Sequence, residues 1–161
     1  MQIHALEIDD FLDADYTLIS IHSGLEDYKL VYLLNRELGM FFRKSKTSLE
    51  IKENGQEAVF SVYGYEDEKQ SNQWYLIANK FQGVSEQPIS NGLFQTINET
   101  VNTTTYLVPE KKKMDFLIKI EGDFDSFRLH KAISSMNKIK QIITAYSMDT
   151  TTLKSKDFLI F

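Results

Sequence analysis

The chain has 161 residues, of which 42% are hydrophobic and 25% are charged, with no cysteine and a net charge of −5. The lack of cysteine excludes disulfides, thiolate metal sites and cysteine nucleophiles, and the net acidity disfavours a nucleic-acid partner. No apolar run reaches the length of a membrane span and the N-terminus lacks the pattern of a secretory signal, so we expect a cytoplasmic protein without a membrane partner.

The first strand-helix pair follows an acidic stretch at residues 7–15. Residues 16–22 are rich in β-branched and aromatic side chains, which predicts a buried strand. Ser23 and Glu26 have the spacing of a capping box, so we expect a helix over residues 24–38, closed by the glycine that follows it.

The middle of the chain predicts a return strand and a hairpin. Residues 40–44 follow the helix as a strand and carry the start of a basic cluster formed by Arg43, Lys44 and Lys46. Alternating apolar residues predict further strands at 49–52, 58–65 and 74–81. Residues 82–104 combine glycine and proline with many Asn and Thr residues, which indicates a segment rich in loops.

The last third repeats the plan of the first. Residues 114–121 alternate as a strand, and Asp125 is a good N-cap for an amphipathic helix over 126–137. A strand at 139–146 and a short final strand at 158–161 complete the predicted elements.

These elements form two β-α-β-like units that flank a central hairpin. The pattern predicts an α+β fold, with a mostly antiparallel sheet, two helices on one face and a ferredoxin-like or ACT-like tendency. We expect a single domain over residues 1–161. Sub-units at 1–81 and 105–161, joined by the loop-rich segment 82–104, are the alternative organisation.

One segment resembles a known signature. Residues 108–116 read Val-Pro-Glu-Lys-Lys-Lys-Met-Asp-Phe and are similar to the motif of the IPExxxVDY family of uncharacterised bacterial proteins. Pro109, Glu110 and Asp115 match at their spacing, whereas Val108, Met114 and Phe116 replace Ile, Val and Tyr. The resemblance extends over most of the chain and implies a fold and a bacterial cytoplasmic setting, but it implies no reaction.

The motif also marks a change of charge. Residues 1–110 hold 8 basic and 17 acidic side chains, a net of −9, and residues 111–161 hold 10 basic and 6 acidic ones, a net of +4. In a structural interpretation the motif shapes a crossover between strands. In a functional one it is an exposed recognition edge for a partner, together with the basic cluster at 43–46; its residues are Glu110, Lys111, Lys112, Lys113 and Asp115.

Other chemistries have weaker support. His22 with Ser23, Gly24 and Leu25 lies at a predicted helix N-terminus, where a small ligand could bind or where His22 could act with an acid. The three histidines have no metal-ligand spacing, the acids at 7–15 lack the calcium-loop pattern, and phosphate-binding glycine motifs are missing, so we expect no metal and no cofactor. Aromatic residues of the hairpin could stack nucleic-acid bases, but core packing is the better interpretation; they are Tyr63, Tyr65, Trp74, Tyr75 and Phe81.

The sequence therefore favours a non-enzymatic interaction or adaptor protein that binds another protein or a second copy of itself, with no catalytic residues assigned. The alternatives are an ACT-like domain that binds a small regulatory ligand at residues 22–25, and an enzyme that uses His22.

Overall fold

A computed structural model describes residues 16–53, 55–90 and 96–159, with side chains described except at 86–90, 96–99 and 158. These residues form two helices and ten strands: β1 (Tyr16–His22), α1 (Asp27–Leu38), β2 (Arg43–Lys44), β3 (Leu49–Glu53), β4 (Gln56–Phe60), β5 (Val62–Asp67), β6 (Asn72–Ala78), β7 (Lys80–Ser90), β8 (Thr96–Tyr106), β9 (Phe116–Glu121), α2 (Ser126–Asn137) and β10 (Thr144–Met148). Short 3-10 turns lie at Pro109–Lys111, Thr150–Thr152 and Lys156–Leu159. Neither helix, in the part of the chain that the structure describes, has the length and hydrophobicity needed to cross a bilayer.

Six strands form one antiparallel sheet in the order β10-β1-β9-β6-β5-β2, and β3–β4 and β7–β8 are separate hairpins. Strand β9 lies between β1 and β6, so Ile118 pairs with Ile19 on one side and Leu76 on the other. The prediction of an α+β fold with a mostly antiparallel sheet is confirmed.

The alternation of apolar residues along the strands gives the sheet two buried faces. One face packs against both helices, as the sequence predicted; its buried residues include Ile19, Leu76 and Ile118 of the sheet, Leu30 and Leu34 of α1, and Met136 of α2. The other face is covered by β4, the segment after β8 and the last turn of the chain; its buried residues include Leu18, Phe60, Ile77, Leu107, Leu117 and Leu159.

Several local predictions are confirmed. Strand β1 has the predicted bounds, and so does α2. Asp125 caps α2, because its carboxylate accepts a hydrogen bond of 2.8 Å from the amide of Arg128. Gly39 ends α1 in the left-handed conformation, with φ of 64°.

The predicted start of the first helix is wrong. Helix α1 begins at Asp27, and its N-cap residue Glu26 makes no side-chain capping bond. Ser23 is buried, and its hydroxyl donates to the carbonyl of Gln141 over 2.9 Å instead of capping a helix. The carboxylate of Glu26 bonds to Lys29 and to the hydroxyl of Tyr28. The capping-box residues are therefore occupied by other partners.

The strands that return from the helices are shorter or later than predicted. Strand β2 covers only two residues, and β10 begins at Thr144, because turn hydrogen bonds link Ile139 to Met136 and Ile142 to Ile139. Strand β9 likewise begins two residues later than predicted. The predicted strand at 158–161 is wrong where the structure describes it, since residues 156–159 form a 3-10 turn.

The middle of the chain differs most from the prediction. The predicted strand at 58–65 is divided between β4 and β5, and the one at 74–81 between β6 and β7. The segment 82–104, predicted to be rich in loops, instead lies mostly within the paired strands β7 and β8. Its Thr residues are compatible with strands, where threonine is enriched, whereas its Asn residues favour turns.

Candidate partner-binding site

Glu110 of the signature motif holds the C-terminal segment of the described chain. Its carboxylate accepts hydrogen bonds from the amide of Lys154 at 2.7 Å and from the amide and hydroxyl of Ser155 at 2.9 and 2.7 Å. Partial burial acts to raise the pKa of Glu110, but these bonds and one from its own backbone outweigh burial and lower the pKa to about 2. Glu110 is therefore charged and internally bonded at neutral pH.

A buried asparagine fixes the backbone of the same motif. Asn79 is fully buried, and its carboxamide nitrogen donates to the carbonyls of Lys111 and Met114 at 2.9 and 3.0 Å. Its carbonyl oxygen accepts from the amide of Val108 at 2.8 Å. The turn that carries Pro109 is thus tied at both ends to one side chain. Sequence analysis did not single out Asn79, because its partners lie 29 to 35 residues away along the chain.

Asp115 joins the motif to the loop before α1. One carboxylate oxygen accepts from the amide of Ser23 at 3.0 Å, and the other forms an ion pair of 2.8 Å with Lys80. The structure therefore brings the predicted recognition edge into contact with the predicted ligand site at residues 22–25. Both acidic residues of the edge, Glu110 and Asp115, are bonded within the chain.

Tyr146 lies between the two predicted sites. The Nε2 atom of His22 is 3.3 Å from the Tyr146 hydroxyl, and the two rings stack with centres 5.6 Å apart. Tyr146 also lines a groove of about 390 Å³ together with the motif. We call the lysines and the tyrosine of this surface the basic groove: Lys111, Lys112, Lys113 and Tyr146. Sequence analysis missed Tyr146, which it placed only as the end of a strand.

The lysines of the basic groove differ in their bonding from Glu110 and Asp115, the acids of the motif. Among the residues that the structure describes, none of Lys111, Lys112 and Lys113 forms an ion pair. Lys112 and Lys113 are exposed, and the ammonium of Lys112 lies 5.6 Å from the centre of the Tyr106 ring. The Glu110 bonds bring the backbone of a fourth lysine, Lys154, next to the motif, which the sequence alone could not show.

The positive charge of this region contributes to lowering the pKa of one acid, Asp149. Hydrogen bonds from Thr151 lower the pKa of Asp149, and the positive charges of Lys111 and Lys156 lower it further. The carboxylate of Asp149 is hydrogen-bonded to the amide and hydroxyl of Thr151 at 2.9 and 2.7 Å. Asp149 therefore places a negative charge near Lys111 of the basic groove without forming an ion pair with it.

The second predicted basic cluster lies elsewhere. Arg43 and Lys44 form β2, at the opposite edge of the six-stranded sheet from β10, and they and Lys46 are exposed. Arg43 and Lys44 line a separate groove of about 530 Å³ with Phe41 and Tyr65. The structure does not bring this cluster together with the basic groove.

His22 and the hairpin aromatics make contacts within the fold. His22 is half-buried, and in the described ranges it bonds to Tyr146 and to no carboxylate. Tyr63 and Trp74 are buried in the core, and Tyr65, Tyr75 and Phe81 pack against it partly buried, which confirms packing for the hairpin aromatics. Burial, with the charge and hydrogen bond of Asp27, raises the pKa of Tyr63 to about 12. In the same ranges no group of three or more His, Asp or Glu side chains could share a metal ion.

A scan of the sequence against protein-family models gave no match, and searches of the curated proteins and of the solved structures gave none either.

Proposed function

We propose that the protein is a non-enzymatic interaction protein and that its basic groove binds an acidic segment of a protein partner. The observation that carries this proposal is the difference between the acids and the bases of the motif. Glu110 and Asp115 are bonded within the chain, while Lys112 and Lys113 are exposed without an ion pair in the described residues. The groove therefore presents positive charge to a partner.

Hydrogen bonds within the chain also hold the groove in place. Its backbone is held by the three hydrogen bonds of Asn79, and its C-terminal border by the three bonds of Glu110. A surface fixed before binding loses less conformational freedom when a partner docks. Tyr146, 43% exposed, adds a flat apolar contact beside the charges, and tyrosine is common in protein interfaces.

The bacterial cytoplasmic setting that we propose follows from the resemblance of residues 108–116 to the IPExxxVDY signature. The match of residues 108–116 to the IPExxxVDY signature supports placing the chain among those bacterial cytoplasmic proteins. Pro109, Glu110 and Asp115, which match the signature, all lie in or next to the groove. In this proposal the motif serves both to shape the crossover and to present the lysines.

Charge reversal tests the proposal. We expect K111E/K112E/K113E to fold normally, because these side chains form no ion pair in the described chain, and to lose partners that the wild type retains in affinity purification from the native cell. Mass spectrometry identifies the retained proteins. R43E/K44E/K46E is the matched control, since it makes the same change of charge at the opposite edge of the sheet.

The outcome separates the two basic clusters. Loss of the same partner with the 111–113 variant and not with the 43–46 variant supports the groove. Loss with both variants indicates unspecific attraction, and an unchanged set of partners with the 111–113 variant contradicts the proposal. A purified partner should also bind more weakly as salt rises, because exposed charges are screened.

A second candidate function is binding of a small regulatory ligand. The order β10-β1-β9-β6, with both helices on one face, is the order expected of a ferredoxin-like domain, the class that includes ACT-like domains. The ligand would lie near His22 and Tyr146, although the amide and hydroxyl of Ser23 are already bonded. A thermal-shift screen with amino acids and nucleotides tests this function. A ligand that stabilises the wild type but not Y146A would support it, and no stabilisation by any compound would count against it.

A further inference from the structure

The β7–β8 hairpin extends well beyond the part that packs against the core. Each strand has 11 residues, and they pair without a break from Lys80 opposite Tyr106 to Ser90 opposite Thr96. Phe81 at the base packs against Phe60, with ring centres 6.1 Å apart. Further along, Val84 is 66% exposed. A two-stranded hairpin is only marginally stable in water on its own, so an additional contact would stabilise it.

The register shows which backbone groups face outward. The amide of Leu107 donates to the carbonyl of Asn79, directly before the first hairpin pair. Because hydrogen-bonded and non-bonded pairs alternate along an antiparallel ladder, Thr100, Asn102 and Thr104 direct their backbone groups away from β7. Pro88 falls at an outward position of β7, where its missing N–H removes no hairpin bond.

The two outer edges of the hairpin therefore differ. Proline blocks the edge of β7, which also carries Lys80 and Glu86. Strand β8 contains neither proline nor lysine, and Glu99 is its one charged residue. No strand of the described ranges pairs with its outer edge.

At or next to each edge strand of the main sheet, an asparagine side chain bonds to backbone groups, and among the described side chains none makes such bonds to β8. At one edge, Asn137 bonds to both the amide and the carbonyl of Ala145 in β10. At the other, Asn35 bonds to both backbone groups of Phe42, directly before β2. A long edge with a single charged residue, and without such cover among the described side chains, is a template for pairing with another strand.

We propose that β8 pairs antiparallel with β8 of a second copy of the chain, about a twofold axis at Val101. In this register Thr100 lies opposite the partner's Asn102, and both have outward backbone groups, as a hydrogen-bonded pair requires. Val101 meets its own copy in the close, non-bonded pair between them. Glu99 lies opposite the partner's Thr103, whereas an axis at position 99 would place two glutamates face to face.

The interface is self-complementary, as a twofold contact must be. It joins two hairpins into a four-stranded sheet and fills the open edge of both chains. The second copy is favoured over an unrelated strand because the same 11 residues satisfy both sides without opposing like charges. This inference is independent of the basic groove, which lies on other elements.

Cysteine cross-linking tests the register, because the chain contains no cysteine of its own. Cβ atoms of a close, non-bonded pair are about 4.5–5.5 Å apart, near the separation that a disulfide spans. Under mild oxidation we expect V101C to form a covalent dimer. V84C, on the opposite strand of the same hairpin and more exposed, is the matched control and should stay uncross-linked.

Light scattering after size-exclusion chromatography tests the dimer itself. We expect a dimeric wild type, a dissociation constant raised about tenfold or more by V101K, which places two like charges together, and little change with V84K. Equal weakening by both variants would indicate unspecific apolar association and overturn the inference. A monomeric wild type would also overturn it, including the case in which residues 1–15 of the same chain cover β8.

Discussion

The two β-α-β units of the protein, residues 16–44 and 116–148, share a hydrogen-bonding device that is not apparent from their sequences. Asn35 of α1 donates to the carbonyl of Phe42 at 3.0 Å and accepts from its amide at 2.8 Å. Asn137 of α2 forms the same pair of bonds with Ala145, at 2.9 and 2.7 Å. In each unit, a carboxamide from the helix fixes the chain that returns to the sheet.

The units differ in how their helices begin. Helix α2 is capped by Asp125, a residue of its own unit, whereas the N-cap residue of α1 makes no capping bond. The loop before α1 is held instead by Ser23, which bonds to Asp115, directly before the second unit, and to Gln141 within it. The start of α2 is therefore fixed by a neighbouring residue, whereas the loop before α1 is fixed by residues far away along the chain.

The largest expected effect on stability comes from removing the asparagine side chains that form the shared device. N35A and N137A each leave a backbone N–H and a C=O without their partners, beside the buried residues Phe42 and Ala145. We expect each variant to lose about 2 kcal/mol of unfolding free energy, measured by urea denaturation. S134A, exposed on α2, is the control and should change little. If only one of the two variants lost stability, the asparagine bonds would not have the same role in both units.

A smaller effect concerns the motif that connects the units. The folded pKa of Glu110, about 2, lies below its ordinary value of 4.5. The folded state therefore binds fewer protons between these values, and Glu110 contributes stability above pH 4.5 that is lost as the pH falls towards 2. Because Glu110 is exposed, solvent screening reduces the contribution to about 1–2 kcal/mol.

The variant E110Q isolates this contribution. At pH 7 it should be less stable than the wild type by that amount, and the difference should shrink as the pH falls from 4.5 to 2. Denaturation at several pH values measures both chains, so the titration of other carboxylates cancels. A difference that stays constant over this range would show that the charge of Glu110 is not what holds Lys154 and Ser155.

The contrast between local and long-range contacts also explains which features could be predicted from the sequence. The cap at Asp125 acts on an amide three residues away, so its pattern is visible in a short window. Ser23 bonds to Asp115 and Gln141, 92 and 118 residues away, and its hydroxyl oxygen accepts only from the amide of Leu25 nearby, so the capping-box pattern there misplaced the start of α1. Strand β8 was missed because its Asn and Thr residues resemble a loop until they pair with β7. The lysines of the candidate site were visible, but their position beside Tyr146 depends on the fold.

The smallest expected effect on stability concerns the difference between the starts of the two helices. D125A removes a carboxylate that accepts from the amide of Arg128 at 2.8 Å, and loss of such a cap costs about 1 kcal/mol. E26A should leave stability almost unchanged, because Glu26 bonds only to exposed side chains of its own helix and caps no amide. Thermal denaturation of the two variants beside the wild type measures both. Equal losses would mean that α1, like α2, is set by its own first residues, and the dependence of the first unit on Asp115 would have to be abandoned.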